Sequence, residues 1–217
     1  MNLYLDGTLV RVGPPRHLKK TCTNRKMYTS LNVMVLAMPN DEVCWVDSNA
    51  YGSYHDAYVL TNSRLYQVFE VEGWRPFPGA VMTADPAYPG YLDWLVTPFP
   101  SATVDYDERR FNVCHQKSRW PCEPMFGRVK NKFRVMITGG IRFRKNGNLD
   151  QAVKVVQICF AIWNFILKQE NPNDEDDDMD ECPVFAPLPG DVLVPTPQDQ
   201  DLQPTNRRIL NSLLRNF

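Results

Sequence analysis

The chain has 217 residues and a formal net charge of −1, enough for one domain of roughly 150–180 residues plus a tail. No uninterrupted apolar run of about 18 residues occurs, and no charged stretch followed by an apolar one opens the chain, so neither a membrane span nor a signal peptide is expected. The near-neutral total hides a division: eleven of the 25 acids lie beyond residue 169, with only three of the 24 lysines and arginines, which leaves residues 1–169 with 14 acids against 21 bases. A basic domain followed by an acidic segment suits a polyanion such as DNA. The six cysteines, Cys22, Cys44, Cys114, Cys122, Cys159 and Cys182, show no CxxC spacing, which favours reduced thiols over a zinc site.

Residues 2–12 alternate as a strand does, Leu3 and Leu5 on one face and Tyr4 and Asp6 on the other. Asp6-Gly7 reads either as a hairpin turn or as an acid held at the sheet surface beside a glycine that lets the backbone bend. Pro14-Pro15 ends the strand, and a basic loop holding Arg16, His17, Lys19, Lys20, Arg25 and Lys26 follows. Ser30–Ala37 and Glu42–Asp47 read as two further strands, and their short link predicts an antiparallel hairpin. His55-Asp56 opens a helix that the apolar spacing carries to about Phe69. Ala80–Ala84 is a short apolar run between turn residues, hence a buried strand, and it ends at Asp85. Asp93–Thr97 is another short strand, Asp105–Lys117 a charged helix, and Asn148 or Asp150 caps a last helix running to about Gln169. Residues 170–206 hold eleven acids and seven prolines, a composition that predicts disorder. Residues 207–217 read as a short amphipathic segment.

The stretch Arg110–Phe133, RFNVCHQKSRWPCEPMFGRVKNKF, is the most basic, and Glu123 is its only acid. Glu123, Phe126, Lys130 and Phe133 are spaced to lie near one face of a helix. Pro121 and Pro124 bracket Glu123, and proline is tolerated only in a first helical turn, so Glu123 is expected at the helix N-terminus. Three acids therefore hold informative places: Asp6 in the first strand, Asp85 at the end of the fourth, and Glu123 on a later helix. If the first and fourth strands are neighbours, a helix packed on the sheet could complete a cluster. Clustered carboxylates stay ionised only beside a cation, and oxygen donors favour Mg2+ or Mn2+. Two such ions can drive in-line displacement at a phosphodiester.

Five patterns, in order, resemble the DDE nuclease domain of PIF/Harbinger-type transposases and of Harbinger transposase-derived nucleases, over about residues 4–168. They are YLDGTLVRV, NRKMYTSLNVMVLA, VDSNAYGSYHDAYVLTNSRLY, ADPAYPGYLDWLVTPF and the basic stretch itself. The resemblance implies a ribonuclease H-like α/β fold, a mixed sheet flanked by helices, over residues 1–169, with 170–217 as an acidic, disordered tail. It implies Asp6, Asp85 and Glu123 as a catalytic triad that binds Mg2+ or Mn2+, and metal-dependent cleavage of DNA as the reaction. Arg119, Arg128 and Lys130 become the nucleic-acid-binding residues, and Asn112, His115, His55 and Asp56 also match signature positions. The last two are expected to serve a helix start and packing. Family members carry an upstream helical DNA-binding region, which these residues are expected to lack. Family members often act with a separate Myb-like DNA-binding partner, and the expected location is the nucleus, with the cytoplasm as a second option. The alternative is a domain that has lost catalysis and holds DNA or a protein. Pro86-Ala87 after Asp85, and Trp163-Asn164 in the last helix, depart from the family's pattern.

Overall fold

A computed structural model describes residues 3–75, 77, 79–119, 122–143 and 149–170, without the side chains of residues 118, 119, 122 and 123. The elements in order are β1 (Leu3–Gly13), a 3-10 turn (Arg16–Leu18) continuing into α1 (Lys19–Cys22), β2 (Ser30–Ala37), β3 (Val43–Tyr51), α2 (Asp56–Thr61), α3 (Arg64–Tyr66), a π turn (Gln67–Val71), β4 (Met82–Ala84), β5 (Leu95–Val96), α4 (Tyr106–Arg119), α5 (Cys122–Lys132), α6 (Val135–Thr138), β6 (Ile141–Arg142) and α7 (Asp150–Glu170).

The sheet runs β3-β2-β1-β4-β5. Strands β1, β2 and β3 are antiparallel, while β4 lies parallel to β1 and β5 parallel to β4. This is the expected mixed sheet, with the first and fourth strands as neighbours. Strand β6 joins the far end of β1 in parallel, Val12 opposite Ile141. Residues 6–11 of β1, between β4 and β6, have no strand on that side among the described residues.

Alternation along β1 divides the core. Leu5 packs with Met34, Leu60, Met82 and Trp94 under α2 and α3, and Val10 and Val12 pack with Met125, Val129, Val156 and Phe160 of α5 and α7. All of β2 is buried, so its near-continuous apolar run is that of a central strand. By length and composition α7 could cross a membrane. Here its apolar face, including Val156, Phe160 and Trp163, is buried in the second cluster. Asn164 of α7 accepts from Val43 N–H at 2.9 Å and donates to Val43 C=O at 2.8 Å, satisfying the backbone of edge strand β3.

Three local expectations change. Asp6-Gly7 is not a turn, because β1 passes through it with Gly7 opposite Met34. The helix expected to run to Phe69 breaks at Ser63, whose hydroxyl donates to Leu60 C=O at 2.6 Å and accepts from Tyr66 N–H at 3.1 Å, ending α2 and capping α3. Strand β3 runs four residues past Asp47, absorbing the turn-like Asp47-Ser48-Asn49 with a register shift against β2. The segment 171–217 and Asn148 lie outside the described residues.

Candidate functional site

The last β1–β4 pair is Leu5 opposite Ala84. Asp6 and Asp85 are the residues that follow this last pair on each strand, Asp6 within β1 and Asp85 just past the end of β4. Parallel neighbours at one register point their side chains to the same face. Leu5 and Ala84 share the core under α2, which turns Asp6, the next residue of β1, toward the opposite face, over which α5 packs. Each carboxylate is oriented by a local amide: Asp6 Oδ1 accepts from Gly7 N–H at 2.8 Å, and Asp85 Oδ1 from Ala87 N–H at 2.9 Å. Asp85 is therefore both a turn former and a strand-end acid.

Helix α5 is seated on this face by Met125, Phe126 and Val129, all buried. Lys130 Nζ donates to Thr8 Oγ1 at 2.6 Å, and Thr8 lies two residues, about 7 Å, beyond Asp6 on the same face of β1. Glu123 lies in the first turn of α5, as its prolines require, and two turns before Lys130 on the same flank. The flank carrying Glu123 thus lies over the strand face carrying Asp6. The Glu123 and Arg119 side chains are outside the described residues. Among the described residues no three His, Cys, Asp or Glu side chains form a metal-sized group. The two described corners supply carboxylate oxygens only, a donor set that fits Mg2+ or Mn2+.

Arg128 lies about 200° around α5 from Lys130, on the other flank, and pairs with Asp41 of the β2–β3 turn. The ammonium of Lys130 is held below the ordinary lysine range, chiefly by burial and then by the nearby charge of Lys26.

Asn112 and His115 bond to backbone groups of β5 and the segment after it. Asn112 Oδ1 accepts from Phe99 N–H at 2.8 Å and its Nδ2 donates to Phe99 C=O at 3.1 Å. His115 is buried, with Nε2 3.1 Å from Val96 C=O and its ring stacked on Phe111. Together they staple α4 to β5 and the segment after it, acting as a substitute strand. Asn112→Ala is expected to remove both bonds and strand a part-buried amide, costing about 2–3 kcal/mol of unfolding free energy, measured by urea titration.

Asp56 serves packing, whereas His55 is exposed and its side chain makes no cap bond at the start of α2. Asp56 Oδ1 accepts from Asn32 Nδ2 at 2.8 Å, and Asn32 Nδ2 also donates to Tyr54 C=O at 3.0 Å. A Cβ on Gly7 would stand 2.7 Å from Asp56 Oδ1. The glycine after Asp6 is there because Asp56 approaches the sheet, not because the chain turns. Burial raises the thiol of Cys22 to about 11, and Cys159 is raised by the same cause, so both behave as small apolar core residues.

Residues 5–164 match the family model described as DDE superfamily endonuclease. No curated protein and no solved structure matches the chain.

Proposed function

The chain belongs to the DDE superfamily endonucleases, and on that premise we propose that it is a divalent-metal-dependent nuclease that hydrolyses phosphodiester bonds in DNA. The observation that supports the reading is the parallel pairing of β1 and β4, whose last pair, Leu5 opposite Ala84, is followed on each strand by an aspartate.

Asp6, Asp85 and Glu123 would hold the divalent ion. When bound, such an ion neutralises charge on phosphoryl oxygens and acidifies water. The remaining work falls to the protein. The amides of Gly7 and Ala87 fix the two aspartates before any ligand arrives, so little reorganisation accompanies binding. Thr8 anchors the Lys130 ammonium two residues along the strand from Asp6, where it meets a phosphate rather than bulk water. Arg119, four residues before Glu123, and Arg128 on the outer flank add positive charge for the backbone of a longer duplex. The five ordered patterns favour the PIF/Harbinger branch, and with it a Myb-like DNA-binding partner and a nuclear site of action.

The test is nicking of supercoiled plasmid. Mg2+ or Mn2+ should produce nicked circles and a chelator should abolish them, while cutting that ignores the chelator would refute the reading. Binding has a separate readout. Mn2+ at 100 times its Kd should add about 2.7 kcal/mol of stability by linkage. A melting temperature that millimolar Mn2+ does not move would mean that no ion is held.

A further inference from the structure

Between Asp6 and Asp41 the sequence holds no acid and six lysines and arginines. Five of the six, Arg16, Lys19, Lys20, Arg25 and Lys26, lie on the connection from β1 to β2, all exposed. None of the five pairs with a carboxylate among the described residues. The connection folds as one unit. Thr23 bridges to Thr29 across it, and the Thr23 hydroxyl donates to Lys19 C=O at 2.7 Å.

Loop 24–28 is built around Asn24, which is buried. Asn24 Oδ1 accepts from Lys26 N–H at 2.8 Å and its Nδ2 donates to Ser30 Oγ at 2.8 Å. Asn24 N–H donates to Tyr28 C=O and Met27 N–H to Asn24 C=O, each at 3.0 Å. The Arg11 guanidinium lies 4.0 Å from the centroid of the Tyr28 ring, and Val12 N–H donates to Thr29 C=O at 3.2 Å, which ties the loop to β1. This closure holds Met27 at φ 62°, a conformation that is costly for any side chain but glycine's. The Met27 side chain is 84% exposed, so the strain is not repaid by packing within the chain. A large apolar side chain held outward by a hydrogen-bonded turn, among unpaired cations, suits a wedge that enters a base step while the cations hold phosphates.

Resting on the nuclease reading above, we propose that the β1–β2 connection is a DNA-contacting lobe: its five cations grip the phosphate backbone and Met27 inserts between base pairs. The lobe is tied to β1 at Val12, six residues along the strand from Asp6. That is about 20 Å, or about six base pairs of duplex at 3.4 Å each. The lobe therefore deforms DNA away from the base pairs that meet the acids.

The test uses the full chain and short duplexes carrying aminopurine, a base whose fluorescence rises on unstacking, beside pyrimidine–purine steps, which unstack most readily. Chelator is present so that no cutting occurs. The wild type should raise the fluorescence. Met27→Gly should lose that rise and keep the wild-type slope of log K against log salt. Glycine adopts φ 62° without strain, so this variant should melt no lower than the wild type. Arg25→Gln combined with Lys26→Gln should lower the slope by about 0.9 for each charge removed. A Met27→Gly protein that unstacks DNA as the wild type does, or a wild type that binds without unstacking, would overturn the wedge. An unchanged slope in the double variant would overturn the grip. Both results leave the nuclease reading intact, whereas a wild type with no affinity for DNA would overturn that reading as well.

Discussion

Asp6→Asn should reduce metal-dependent nicking by a factor on the order of a thousand or more while leaving the metal-free protein as stable as before. The two halves of this expectation have separate causes. An asparagine at this position keeps a carbonyl oxygen where Asp6 Oδ1 accepts from Gly7 N–H at 2.8 Å, so the local backbone retains its partner. It also removes one of the two negative charges that follow the last β1–β4 pair, which lowers any repulsion between them when no metal is bound. Melting without metal should therefore be unchanged or slightly higher, and the stabilisation by Mn2+ should vanish. A purely structural Asp6 would behave the opposite way, losing stability with or without metal. Equal cutting by the variant and the wild type would remove Asp6 from the chemistry.

The sequence made the site's scaffold legible where one pattern had one structural solution. Ser30–Ala37 is legible to the residue because its near-continuous apolar run reads as a strand buried on both faces. The neighbourhood of the first and fourth strands was conditional in the sequence and became definite only through pairing, since nothing in Ala80–Ala84 alone names its partner. The placement of Glu123 in a first helical turn followed from two prolines and is observed. Features decided by long-range contacts were not legible. Ser63 looks like any helical serine until its hydroxyl is seen bonding both ways. Asn112 and His115 have the residue types of a polar site, yet their partners are backbone groups of Phe99 and Val96. The 3-10 turn at Arg16–Leu18, α6 and β6 are too short to carry a period.

Gly52→Ala should be among the most destabilising single-methyl changes in the chain, costing about 2–4 kcal/mol. Backbone freedom is not the reason: Gly52 is absent from the positive-φ residues. The reason is space. A Cβ there would stand 2.1 Å from Ser30 Oγ and 2.8 Å from the carbonyl oxygens of Cys22 and Ser30. The hydroxyl could rotate away, but the carbonyls belong to α1 and to β2, and Gly52 N–H is bonded to the Ser30 oxygen at 2.9 Å. Relief requires separating the β3 end from the β2 start. A displaced Ser30 hydroxyl also abandons Asn24 Nδ2, so the damage should pass into loop 24–28. Ser30→Ala separates the two contributions. Alone it should cost about 1 kcal/mol, because Asn24 loses an acceptor. Combined with Gly52→Ala it should cost less than the sum, because it removes the nearest clash while the carbonyl clashes stay. Urea unfolding of the two single variants and the double variant measures this coupling. A Gly52→Ala protein within about 0.5 kcal/mol of wild type, the range of ordinary surface changes, would show that the β2–β3 junction yields and that close packing is not what demands the glycine.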